Sequence, residues 1–540
     1  MHEAEPRQIN EPKQLAVLES SLSTTERGAG VDISGVLAKH ARHRPDHAAV
    51  VFGRRRVSYR DLDRHTNRVA NAFCALGVSR GDKVATFLAN SLELLEIYWA
   101  AAKIGAVVVP LSPLLRGRGL STLLNDAEVA LVVTETANAP FLDEVRPEVP
   151  VVAERYLITD GERGGYREYG ELVARASEDA PSPAPIQGDD PYNIIYSSGT
   201  TGLPKGIVLS QRVRALYGAL FGLAWRMDPE SVVLHSGSLC FNGAFLTLMP
   251  AYVLGSTFVL HHHFDPEEVL DTIARERVTH MFMVPSQIVA LLGSPRFNAR
   301  SVPTLRMLGA VGAPFHTEHR EELARRVPGV FHELYGLTEG FMTILDKDDY
   351  AAKPTSVGIP PPFFDMRIVD ENGADVAVGE VGEIVGRSPL LMSGYYKRPD
   401  LTREVIVDGW LHSGDMGYVD SDGFLYLVDR AKDMLISGGV NVYPRDIEEI
   451  VVRHPAVREA AVFGVPSDKW GESPLAAVIL RERGAVSPDE LRRWINERVE
   501  ARYQQVQEVV IVEDFPRSTA GKTLKRVMRE PYWAGRKTRI

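Results

Sequence analysis

Residues 197–206 read SSGTTGLPKG, an apolar lead-in (residues 192–196) and exit (residues 207–209) framing three glycines, four hydroxyl side chains and one lysine. Such a run suits phosphate: glycine lets backbone N–H groups approach an anion, hydroxyls donate further hydrogen bonds, and lysine adds a point charge. A P-loop needs GxxxxGK[ST] opening a helix. Here Lys205 follows Pro204 and precedes Gly206, and the exit GIVLS has the pattern of a strand. The Walker geometry is therefore excluded, while phosphate binding and a bland polar connection both stay open.

Four further stretches follow in order: ELYGLTE (333–339), GWLHSGDMGYVDSDGFLYLVDR (409–430), KDMLISGGVNVYPRDIEEI (432–450) and PRSTAGKTLKR (516–526). Taken with SSGTTGLPKG, they resemble the ordered motifs of the adenylate-forming enzymes, the family of acyl-CoA synthetases, luciferases and peptide-synthetase adenylation domains. The resemblance covers nearly the whole chain and is most like an acyl-CoA ligase.

The resemblance implies a site. Ser197, Ser198, Gly199, Thr200, Thr201, Gly202 and Lys205 would grip the ATP β- and γ-phosphates, and the loop would close on ATP and loosen once pyrophosphate leaves. Gly312, Ala313, Pro314, Glu333, Leu334, Tyr335 and Gly336 would line the nucleotide, with Tyr335 flanking adenine. Thr338 would contact the α-phosphate, and Glu339 with Thr200 would hold Mg²⁺. A carboxylate beside phosphates requires a cation between them, and Mg²⁺ takes such oxygen ligands. Asp415 would accept from the ribose hydroxyls, braced by Arg430, with Ser413 standing where threonine is usual. Lys432 would be the hinge, Ser437, Gly438 and Gly439 would face pantetheine, and Lys522 would reach the acyl carboxylate and α-phosphate. Asp446 replaces the commoner glutamate.

The acid pocket departs from the family. Phe241 in SLCFNGAFLTLMP stands where a histidine is common, so no histidine role is carried over. Asn242, Gly243 and Phe245 with Gly309, Ala310 and Val311 are the expected walls, and they suit a bulky apolar acid: aromatic, cyclic or medium-chain. Core packing of Phe245 is an equal alternative. The run His261–His263 is read as a strand-to-helix turn without a second ligand cluster, and His332 and His412 as packing or orienting residues.

Positioning such a site takes more than one core. The chain has 540 residues, 44% of them hydrophobic and 24% charged, which points to a multi-domain globular protein. Apolar runs at 48–52, 83–88, 129–134, 232–236, 256–260 and 280–284 alternate with helical periodicity, as at 266–278, so parallel sheets covered by helices are expected. Residues 91–104 read as a helix stopped by Gly105 before a buried strand at 106–109. From about residue 374 short strands between glycine turns give a β-rich subdomain. The expected class is thus α/β: a flexible tail (1–30), a large AMP-binding domain (31–430) and a small mobile α+β domain (431–540). In the last, Ser487 and Glu490 form a capping box.

A net charge of −10 with both signs interspersed gives no support for nucleic-acid or membrane-surface binding. Two distant cysteines, no apolar leader and no membrane-spanning run favour a reducing cytoplasm. The expected co-substrates and cofactor are ATP, coenzyme A and Mg²⁺. The expected partners are a carboxylic acid and either CoA or a carrier protein acting in trans; a homodimer is compatible with the reading. A luciferase-type monooxygenase is more remote, and an inactive nucleotide-binding regulator would be expected to lack Lys522 or Glu339, which this chain keeps.

Overall fold

The computed structural model describes residues 31–182, 185–197, 205–313, 315–430, 433–437, 440–467, 470–499, 501–517 and 523–534. The architecture is α/β, with two large helix-covered sheets, a β-rich subdomain and a smaller C-terminal sheet with its helices.

The first eight-stranded sheet runs in the order Met342–Leu345, Phe331–Gly336, Met307–Val311, His280–Met283, Val232–His235, Thr257–Leu260, Ala48–Phe52, Arg55–Ser58. Its interior pairs are parallel and only its two outer pairs antiparallel. Its central strands are buried on both faces, which explains their continuous apolar runs. The second runs Gly394–Tyr395, Lys205–Ser210, Pro191–Ser197, Val107–Pro110, Lys83–Phe87, Val129–Thr134, Tyr156–Ile158, Arg167–Glu168.

All six apolar runs picked from the sequence form strands of these sheets. The helix Leu92–Ile104 is buried almost all round, is capped by Ser91 accepting from Leu94 N, and ends at Gly105, as its spacing predicts. The helices Gln211–Ala224 and Phe245–Leu254 cross closely because Gly218 has no side chain; a Cβ there would lie 2.3 Å from Val253 Cγ2.

The β-rich subdomain starts earlier than expected, at Asp365–Val369, which pairs antiparallel with Gly382–Arg387. That strand's polar start, with Arg367 stacked on Trp410 5.3 Å from the ring centroid, hides the apolar signal. The last sheet places Val457–Ser467 against Gly471–Leu480, with Leu435–Ser437, Val440–Val442 and Glu508–Ile511 alongside. Ser487 and Glu490 make the expected capping box on the helix Pro488–Asn496. No helix of the described residues is long and apolar enough to cross a membrane.

Candidate functional site

The glycine-rich loop is the tip of a hairpin. Pro191–Ser197 and Lys205–Ser210 pair antiparallel, with Ser197 opposite Lys205, so the ladder pins both ends of the loop. Lys205 itself is in the exit strand, contrary to any helix-opening geometry. Ser198, Gly199, Thr200, Thr201 and Gly202 lie outside the described residues.

A residue absent from the sequence reading connects this hairpin to the YGLTE turn. Tyr395, from the edge strand Gly394–Tyr395, pairs with Ile207. Its ring lies 5.0 Å from Lys205 Nζ, and its hydroxyl donates to Glu339 Oε1 at 2.8 Å. Burial and the Glu339 carboxylate both push the Tyr395 phenol far above its ordinary range, so it stays a donor. The only available sequence signal was the glycine-tyrosine pair in SGYYKRPD, and nothing in its spacing points to Glu339.

Glu339 sits in the turn between Phe331–Gly336 and Met342–Leu345, half-buried with Thr338. Gly340 makes that turn possible: φ is +117°, and a Cβ would fall 2.1 Å from Leu390 O. Ser388 Oγ donates to Gly340 O at 2.6 Å and Met392 N to Glu339 O at 2.8 Å, fixing the turn from behind. Glu339 Oε2 takes no hydrogen bond from the described residues, which leaves one oriented carboxylate oxygen beside the hairpin tip. That fits Mg²⁺, a cation commonly held by one or two carboxylates with phosphate oxygens and water completing its shell. No cluster of three acidic, histidine or cysteine side chains exists among the described residues.

Among the residues expected to hold the nucleoside, Tyr335 OH donates to Asp415 Oδ2 at 2.8 Å. Asp415 is the register partner of Arg430 in the hairpin Trp410–Val419 and Leu425–Arg430; the Arg430 side chain is outside the described set. Ser413 Oγ donates to Ile384 O at 2.5 Å and accepts from Asp415 N at 3.0 Å, so the hydroxyl shared by serine and threonine is the part the turn uses. Gly312, with φ +91°, and Ala313 are exposed past the end of Met307–Val311; Pro314 lies outside the described residues.

Two expected nucleotide contacts are placed differently. Glu333 is buried against Arg320 Nη2 at 2.6 Å, and burial raises its carboxyl despite that guanidinium. Leu334 is buried in the main core. Their side chains are spent on packing, leaving only their backbone to face a ligand. Nothing in the local sequence marks Arg320, whose Nε and Nη1 also donate to Phe315, Pro354 and Ser356 carbonyls.

The expected acid-pocket residues divide. Phe241 precedes the short helix Asn242–Ala244, and Gly243 faces Val311 across the gap, a Cβ there lying 3.8 Å from Val311 Cγ1. Asn242 Nδ2 donates to Tyr217 OH at 3.2 Å. Phe245 is buried and stacks on Tyr98 with centroids 5.7 Å apart. The ring of Phe282 fills the space beside Gly309, 2.4 Å from where a Cβ would stand. Ala310 packs in the core cluster with Leu308 and Phe331.

Toward the C-terminus, His316 Nδ1 and Glu449 Oε1 meet at 2.9 Å, and although burial acts the other way this pairing holds the Glu449 carboxyl below its ordinary value. Ser437 is buried opposite Gly471 and Val440, so its side chain does not face open space. Lys432, Gly438, Gly439 and Lys522 lie outside the described residues. His261 reaches Thr272 Oγ1 at 3.0 Å, His332 Nδ1 reaches Val330 O at 3.0 Å, and His412 Nδ1 reaches Glu383 Oε2 at 2.9 Å, all structural pairings. Cys74 and Cys240 are both free.

Residues 37–396 match the model of the AMP-binding enzyme family, and residues 446–522 match the AMP-binding enzyme C-terminal domain. A feruloyl-CoA synthase of Amycolatopsis sp. is 34% identical over 502 residues, covering 92% of this chain and 98% of that protein. A fatty acid–[acyl-carrier-protein] ligase, ScoC, of Streptomyces coeruleorubidus is 31% identical, covering 92% and 95%. Among solved structures, ATP-bound MatB of Rhodopseudomonas palustris superposes with a TM-score of 0.86 at 28% identity, covering 94% of this chain and all of that one.

Proposed function

Because the chain belongs to the AMP-binding enzyme family, we propose that it is an ATP-dependent carboxylic acid:CoA ligase that forms an acyl-adenylate and releases AMP and pyrophosphate. The observation that carries this reading is the single cluster of Lys205, Tyr395 and Glu339 at the hairpin tip, with Tyr335 and Asp415 bonded to each other at the nucleoside end. The named relatives act on feruloyl and fatty acyl groups, which supports a carboxylic acid as substrate.

In the first half-reaction the acid's carboxylate attacks the α-phosphorus of ATP. Two anions must meet, so the chain's contribution is charge neutralisation and in-line placement. Lys205 stands at the phosphate loop, and Lys522 is assigned to the reacting carboxylate and α-phosphate; each such group contributes on the order of 10²–10³ in rate. Glu339, with Thr200, would hold Mg²⁺, whose charge screens the phosphate oxygens. Thr338 donates toward the α-phosphate. Asp415 accepts from the ribose hydroxyls, and Tyr335, fixed by Asp415, lies against adenine.

In the second half-reaction a thiol attacks the acyl-adenylate. Residues 431–540 act as a small domain that turns about a hinge near Lys432, replacing Lys522 by the segment of Ser437, Gly438 and Gly439. Ser437 is buried, so this reading gives pantetheine contact to Gly438 and Gly439. The acid pocket, between Asn242–Phe245 and Gly309–Val311, takes a bulky acid with an apolar body. Similarity to ScoC supports a second reading, transfer of the acyl group to a carrier protein in trans.

An acid panel assayed for AMP release with CoA, with a carrier protein and with no thiol tests this. Acid-dependent release that needs CoA supports the ligase, turnover with the carrier alone selects the second reading, and no acid-dependent AMP release contradicts both.

A further inference from the structure

The first turn of the helix Gln211–Ala224 carries an arginine, Arg214, that is fully buried. Its Nε and Nη2 share one neutral acceptor, Asn193 Oδ1, at 3.3 and 3.2 Å. Among the described residues Nη1 is buried with no acceptor, and Nδ2 of the same Asn193 amide is buried with none either. The main electrostatic neighbours of Arg214 are the phenols of Tyr217, which also bonds to it, Tyr192 and Tyr98, and no salt bridge joins it to a carboxylate among the described residues. Burial accordingly pushes this guanidinium down to about 10.

Arg320, also fully buried, shows the contrast. Arg320 has Glu333 at 2.6 Å and backbone carbonyls on its remaining donors. Buried charges are ordinarily paired, because an unpaired one forfeits its hydration without return. Arg214 has hydrogen-bond capacity and charge left over.

That surplus stands directly behind the acid pocket. The guanidinium lies 3.9 Å from the centroid of the Phe245 ring and 4.8 Å from that of Tyr217. Tyr217 OH in turn accepts from Asn242 Nδ2, and Asn242 Oδ1 is itself buried without a donor. Phe245 and Asn242 are both wall residues of the proposed pocket. The buried Phe245 ring lies against the guanidinium on one side and stacks with Tyr98.

Resting on the ligase reading above, we propose that the acid is dicarboxylic: one carboxylate is adenylated, and the second, across an apolar body, turns the Phe245 ring aside and pairs with the free Nη1 edge of Arg214, Asn193 Nδ2 donating beside it. A buried water or a neutral acceptor would satisfy Nη1 but leave the charge uncompensated. A carboxylate answers both, and its planar pair of oxygens matches the guanidinium edge.

The test compares kcat/KM for matched acids in the CoA-dependent AMP-release assay: suberate against octanoate, and terephthalate against 4-methylbenzoate. Wild-type enzyme is expected to prefer the diacid of at least one pair by about 10²-fold, since a site built to bond a polar group rejects the analogue lacking it. Arg214→Met should bring that ratio close to one, and Arg214→Lys should hold it between the two, with melting temperature and KM for ATP reporting on folding. Wild-type preference for the monoacids, or an Arg214→Met enzyme that loses both acids alike and keeps the ratio, overturns the proposal. The wild-type comparison decides even where the methionine variant does not fold. Turnover of monoacids alone leaves the ligase reading standing while this inference fails; no acid-dependent AMP release defeats both.

Discussion

The hydroxyl of Tyr335 donates to Asp415 Oδ2 over 2.8 Å, joining the strand Phe331–Gly336 to the strand Trp410–Val419 across 80 residues of sequence. The bond orients the carboxylate assigned to ribose and the ring assigned to adenine at once. A hydrogen bond to a charged group contributes about 1.5–3 kcal/mol. Tyr335→Phe is therefore expected to lower kcat/KM for ATP by roughly 10- to 100-fold, with the KM for the acid little changed. Steady-state kinetics with each substrate varied separately check this; an unchanged response to ATP contradicts it.

Tyr395 holds Glu339 by one oxygen and lies under Lys205. Tyr395→Phe frees the carboxylate to rotate while keeping the ring under the lysine. The Mg²⁺ concentration for half-maximal activity, titrated at fixed ATP, should rise by about tenfold, the effect of losing one charge-assisted hydrogen bond. Tyr395→Ala, which also removes the ring, should raise the KM for ATP further. Equal Mg²⁺ curves for wild type and Tyr395→Phe would show that the phenol does not position Glu339.

Acid should destabilise the fold through two buried histidines. Burial pushes both His235 and His280 down to about 4, against about 6.5 in an unfolded chain. Between those values the unfolded state binds a proton at each site that the native state refuses. Stability then falls as pH falls through that window, by up to roughly 1.4 kcal/mol per pH unit for each group, and this contribution levels off below about pH 4. Urea unfolding at pH 7, 6 and 5 measures the slope. His280→Gln should reduce it by about one proton, and a slope of zero between pH 7 and 5 contradicts the assignment.

Much of this was legible in the sequence because it is local. Continuous apolar runs report strands buried on both faces, and Ser91 with Gly105, or Ser487 with Glu490, report helix ends through chemistry within a few residues. The motif residues came from resemblance, and the structure links Lys205 to Glu339 through Tyr395, and Tyr335 to Asp415, from distant segments. What stayed hidden depends on long-range pairing. Tyr395 meets Glu339 only because a two-residue edge strand docks on Lys205–Ser210. Glu333 reads as a site carboxylate until Arg320, thirteen positions earlier on another element, claims it. Arg214 reads as an ordinary helix cation; only its tertiary burial beside Asn193, Tyr217 and Phe245 sets it apart.

Exchange of labelled pyrophosphate into ATP measures reversible adenylation of a carboxylic acid without CoA. Exchange is expected to require the acid and Mg²⁺, and to disappear in Lys522→Ala while thioester formation from preformed acyl-adenylate persists. Exchange that ignores the acid, or that survives in Lys522→Ala, would contradict it.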